Sequence, residues 1–153
     1  MPQRKEADTS ERLDPAVPDY QSITQERILD ITSRLEKELG LDGWLTIRHQ
    51  FHPGFDGDHT IDSDGNATVY KTTAITTPQW EYRFATITWY LKTAVTQTDQ
   101  ELEAVAIHEY IHILLAPVTT LLPIKPLHSK LEEYVTECLM RLVGHARGMT
   151  NIR

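Results

Sequence analysis

Cysteine is almost missing from this chain: Cys138 stands alone among 153 residues, so no internal disulfide can form and a disulfide-stapled secreted scaffold is excluded. Positive charge is short as well. Fifteen Lys and Arg against twenty-two Asp and Glu leave a net charge of -7, a poor balance for holding DNA or RNA by its phosphates. Nucleic acid is therefore not an expected partner. No uninterrupted apolar run approaches the length of a bilayer crossing, and the N-terminal stretch has no secretory hydrophobic segment. The expectations are a cytoplasmic protein, no role for a membrane, and one domain large enough to bury a core without staples.

Residues 1–20 are rich in charge and carry Pro15 and Pro18, which marks a disordered N-terminal arm ahead of one domain over 21–153. From Thr24, the recurrence of Ile28, Ile31, Leu35 and Leu39 predicts a helix that Gly40 ends. Residues 44–51, 68–75 and 82–91 alternate or are rich in β-branched and aromatic side chains and predict three strands. Two more helices follow. The expected class is α+β, with the sheet roofing the last two helices and the first helix on its other face.

The informative segment is His108-Glu109-Tyr110-Ile111-His112, an HExxH sequence. On a helix the two histidines stand one turn apart on one face and can chelate a single zinc ion. Glu109 sits 100° around the helix, beside the open coordination position, where it can take a proton from water. The helix is well defined in sequence. Thr98-Asp99-Gln100-Glu101 forms a capping box, an apolar run from Leu102 to Leu115 follows, and Pro117 is expected to stop it. Two buried imidazoles one turn apart would otherwise need separate hydrogen-bond partners, which a shared metal supplies at once.

The third ligand is sought in 129–142. Ser129 with Glu132 reads as a second capping box, and Leu131, Val135, Cys138, Leu139 and Leu142 form the apolar stripe of that helix. Glu133 and Glu137 share another face, so one can bind metal while the other anchors a ligand histidine by a hydrogen bond. HExxH followed by a helical Glu twenty-one residues after His112, with an acid four residues further on, resembles the gluzincin zinc metallopeptidases. Their acid pair usually reads E-x-x-x-D; here Glu137 stands where Asp is usual. Together with 81–91 and 112–117, these segments are also similar to small single-domain metallopeptidase-like proteins of phage and prophage genomes, over roughly residues 25–147.

The resemblance implies a minimal zincin-like domain with a small mixed or antiparallel sheet of three or four strands, an N-terminal helix, the HExxH helix and a C-terminal helix bearing a ligand. It implies Zn2+ held by His108, His112 and Glu133, Glu137 supporting a ligand histidine, and a peptide or protein substrate. The expected chemistry is hydrolysis of a peptide bond by a zinc-activated water with Glu109 as general base. Tyr134 and His128 are the candidates for an oxyanion or substrate contact. A non-catalytic zinc-binding regulatory protein on the same fold is the alternative; the peptide deformylases also use HExxH, but their cysteine ligand lies upstream of it, whereas Cys138 lies downstream. Asp62, Asp64 and Asn66 match the start of an EF-hand loop, yet Ala67 and Thr73 occupy the places that need Gly and Glu, so a calcium site is not expected. The linker 117–127, with five aliphatic residues from Val118 to Leu127, is expected to pack on the core or wall the cleft.

Overall fold

The computed structural model describes residues 19–54, 56–61, 67–120 and 125–149. The first helix, α1, spans Tyr20–Glu38, four residues longer at its start than the apolar spacing predicts. Its extra turn is held by Asp19, whose carboxylate accepts the Gln21 N–H. Thr24, Ile28, Ile31, Thr32 and Leu35 form its buried face. Gly40 ends it as expected, at φ 67°, where its N–H reaches the Lys37 carbonyl.

Five strands follow: β1 (Thr46–His52), β2 (Asp56–Ile61), β3 (Ala67–Thr72), β4 (Ala74–Gln79) and β5 (Phe84–Tyr90). They make two sheets. Among the described residues β1, β5 and β4 form a mixed three-stranded sheet in that order, β1 parallel and β4 antiparallel to β5, while β2 and β3 pair only with each other. The single strand expected over 68–75 is broken at Thr73. That residue turns its carbonyl to Tyr90 N–H and its hydroxyl to Gln97, contacts made by distant segments and invisible in the local pattern. Between β4 and β5 a short turn at Trp80–Tyr82 hands over to Arg83, which takes a left-handed φ of 52°.

After the single turn α2 (Leu91–Ala94), α3 runs over Asp99–Thr119 and α4 over Lys125–Ala146. The capping box at α3's start is present as expected: Thr98 Oγ1 accepts the Glu101 N–H at 3.3 Å and the Glu101 carboxylate accepts the Thr98 N–H at 2.7 Å. Pro117 does not stop the helix. It removes one N–H two residues before the end, and Thr120 N–H still closes on Ala116 O at 3.0 Å. α4 likewise begins earlier than expected, with Pro126 in its first turn, where a missing N–H costs nothing; Ser129 therefore lies inside the helix rather than capping it.

α1 and α3 cover the same face of the sheet, which overturns the arrangement with α1 on the opposite side. His49 on β1 meets Glu36 on α1, Thr76 on β4 meets Glu109 on α3, and Tyr110 on α3 joins Glu36. The physical reason lies in the pleat. Ala85, Ile87 and Trp89 on β5 are fully buried on this face, with Ile47 and Phe51 of β1 packed beside them. The other face offers Thr46, Arg48, Gln50 and His52 on β1, all exposed, and gives a helix little to bury. The result is two layers, with α4 packed on α3. Ion pairs fasten the helical layer: Arg27 to Asp99 at 2.6 Å, Arg34 to Glu103 at 2.9 Å, and Arg147 to both Glu103 and Glu38.

α3 is also long and apolar enough by length and composition to cross a membrane, contrary to the reading that no segment is. Leu102, Ala106, Ile107, Ile111 and Ile113 on it are buried in the protein's own core, which accounts for that composition. Of the remaining expectations, the arm ahead of Asp19, the acidic loop at Asp62, Asp64 and Asn66, and 121–124 of the linker lie outside the described residues.

Candidate metal centre

One turn of α3 brings His108 Nε2 and His112 Nε2 to 3.0 Å. Glu133, entering from α4, places one carboxylate oxygen 3.4 Å from His112 Nε2 and the other 3.8 Å from His108 Nε2. Three donor atoms thus lie within 4.8 Å of one another, and the group could hold a metal ion. The spacing fits one. Donors roughly 2.0–2.2 Å from a shared ion at tetrahedral angles stand about 3.3–3.6 Å apart, and the separations of 3.0, 3.4 and 3.8 Å bracket that range.

The antiparallel packing of α4 on α3 assigns the acids. His112 lies nearer the start of α4 and His108 nearer its middle. The carboxylate within reach of His112 Nδ1 is accordingly Glu132, at 3.0 Å, and not Glu137. With Nδ1–H donated to Glu132, His112 presents the Nε2 lone pair to the common point. The capping role read for Glu132 and the hydrogen-bonding role read for Glu137 are both corrected. Glu137 instead pairs loosely with Arg141 at 3.7 Å and adds negative potential near His108.

Glu109 is buried at 7 % exposure, and its Oε2 accepts a hydrogen bond from Thr76 Oγ1 at 2.6 Å. Burial dominates its chemistry, lifting the carboxyl from 4.5 to about 7 against the opposing pull of the Thr76 hydroxyl and the His112 charge. A carboxyl so placed is half ionised near neutrality. His108 is lowered, first by burial and then by the neighbouring imidazole, so it too is neutral and available as a ligand.

The motif is anchored from behind by a polar chain that the sequence did not announce. Trp89 Nε1–H donates to His49 Nδ1 at 3.0 Å, and because an indole only donates, His49 carries its proton on Nε2 and gives it to Glu36 at 2.9 Å. Tyr110, inside the HExxH segment, donates to the same Glu36 oxygen at 3.0 Å, which ties α3 to α1 immediately after Glu109. His49, on β1, is thus part of the support of the site.

A cavity of about 900 Å³ opens over these groups, walled by β4, α3 and α4, and receives His108, Glu109, His112, Glu133 and Glu137 together with the apolar Ile75, Val105 and Met140. Tyr134 does not join them: it stands 68 % exposed and is not among the lining residues. His128 lies in the first turn of α4, and its side chain is outside the described ones. Thr76 is the functional neighbour that sequence reading missed, 33 residues from Glu109 and unmarked by any local pattern.

No family model, curated protein or solved structure matches this chain. What it does must be argued from the geometry.

Proposed function

We propose that this protein is a zinc-dependent metallopeptidase that uses Glu109 as its general base. The observation carrying this reading is a buried carboxyl, held near neutral pKa, one residue along the helix from a histidine pair whose Nε2 atoms converge with Glu133 on one point. Two imidazoles and one carboxylate suit zinc, and three protein ligands leave a fourth position open, the pattern of a catalytic rather than a structural site. A zinc ion bound there supplies Lewis-acid polarisation of a carbonyl and lowers the pKa of water. Glu109 takes the water proton on a carboxylate oxygen, holds it where burial favours the neutral acid, and gives it to the departing amine nitrogen. Thr76 holds that carboxylate in place through its 2.6 Å hydrogen bond.

The sheet order supports a peptide as substrate. Among the described residues β4 is an edge strand, pairing with β5 on one side only, and it lines the cavity with Ile75 and Thr76. An extended chain can add to such an edge by main-chain hydrogen bonds, which brings a backbone carbonyl toward the histidines. A site kept for stability or partner binding alone has no use for Glu109, whose burial is costly unless the carboxyl does proton work. The lone exposed thiol of Cys138 suits a reducing compartment, and cytoplasmic residence belongs to this proposal.

The test is zinc content and hydrolysis of a mixed peptide library, wild type beside Glu109→Gln. One zinc per chain in both proteins, with cleavage only in the wild type, is the expected result. Undiminished cleavage by Glu109→Gln would overturn the base assignment, and absence of zinc after reconstitution would overturn the whole reading.

A further inference from the structure

α4 turns its apolar stripe away from the protein. At 100° per residue Leu131, Val135, Cys138 and Leu142 fall within about 60° of one another, and Thr136, Met140 and Gly144 lie on the opposite side of the helix. The buried positions are the second set: Thr136 and Met140 pack against the body while Leu131 is 48 % and Leu142 66 % exposed, with Tyr134, Cys138 and Leu139 exposed beside them. Five exposed residues of one helix, with half-buried Val135 among them, thus leave an apolar face in water, a pattern uncommon on a monomer's surface.

We propose that this face is where two copies of the chain dimerise, α4 packing antiparallel on α4. The spacing from Leu131 to Val135 to Cys138 to Leu142 is 4-3-4, the seam of a two-stranded helical contact, and such a stripe is complementary to itself. The charges fit a second copy as well. Two chains of net charge -7 repel in general, yet the stripe itself carries no charged residue. With Leu131 across from the partner's Leu142 and Val135 across from the partner's Cys138, Tyr134 comes beside the partner's Arg141, a cation over an aromatic face. Both side chains are exposed, at 68 % and 67 %, and among the described residues Arg141 is held only by its 3.7 Å pairing with Glu137 of its own helix. α4 would then be held between α3 and its own copy, and the metal-facing side carrying Glu133 would stay open to the cavity. The inference does not depend on the metallopeptidase reading.

The stripe runs about 17 Å along the helix. That length puts the contact at the small end of specific interfaces, below about 1,200 Å², and implies a dissociation constant of about 1–100 µM. Sedimentation velocity over about 1–500 µM chain should show a reversible monomer–dimer equilibrium. Leu142→Glu and, separately, Leu131→Glu should weaken it by about 100-fold or more with an unchanged circular dichroism spectrum, because neither side chain is part of the core. Leu29→Glu, an equally exposed leucine on α1, should leave it unchanged. Mild oxidation should link Val135→Cys to the partner's Cys138 and leave the wild type unlinked. A chain monomeric at every concentration, or a dimer indifferent to both glutamate substitutions, overturns the proposal, and efficient Cys138–Cys138 linkage in the wild type overturns the antiparallel pairing.

Discussion

Replacing Glu109 with Gln should change how the metal-free protein's stability depends on pH. Glutamine keeps the shape and can still accept from Thr76, but it cannot ionise, so the comparison isolates one charge. The carboxyl titrates at 4.5 when exposed and at about 7 in the fold, chiefly because burial penalises its charged form. Since the folded value is the higher one, the neutral group's contribution is complete below about pH 4.5 and is lost as the pH rises through 7. The displacement corresponds to about 3 kcal/mol in all, most of which falls between pH 5 and pH 8.5. His108, lowered by burial, changes stability in the opposite direction on acidification, but it is present in both proteins and largely cancels in the difference. Urea unfolding of chelator-treated protein should therefore show wild type losing about 2–3 kcal/mol relative to Glu109→Gln across that range. A difference that stays flat with pH would refute a desolvated Glu109 and with it the argument for a poised base.

Three other outcomes follow from the same geometry. Glu133→Ala should abolish stoichiometric metal binding, whereas Glu132→Gln, which only loosens the His112 ring, should weaken affinity by about 10- to 100-fold; competition with a chromogenic chelator separates the two, and equal effects would count against their different roles. Thr76→Val removes the donor that favours ionised Glu109, so the acid limb of any kcat/KM profile should move up by about one pH unit, the worth of one hydrogen bond to a charged group. His49→Ala strands the Trp89 N–H and leaves Glu36 with the Tyr110 hydroxyl as its remaining partner here, and should cost about 1–3 kcal/mol of stability by thermal melting. A loss below about 0.5 kcal/mol would mean water replaces the imidazole without penalty.

Much of the site was readable in the chain because its parts are local. His108, Glu109 and His112 share one helical turn, Thr98 and Glu101 cap that helix with contacts three residues apart, and the 3.6-residue period does the rest. Glu133 was reachable by resemblance and by its place on a second helix. The strand pattern also located β1 and β5 to within two residues, since alternation with buried Ala85, Ile87 and Trp89 is a property of the segment itself. What sequence could not decide were relations between segments. Whether Glu132 or Glu137 meets His112 depends on how α4 crosses α3, and an error of one position on a helix turns a side chain by 100°. Thr76 and Glu36 join the site from 33 and 74 residues away, through contacts that carry no periodic trace. The outward stripe of α4 shows the limit most plainly: periodicity identifies an apolar face, but only the packing of α4 on α3 determines that it faces water, because burial is decided by what stands opposite. The sequence by itself determined the histidine pair, the carboxylate beside it and the helix that carries them; the tertiary structure decided which acid meets His112, what raises the Glu109 pKa, and which face of the last helix is left exposed among the described residues.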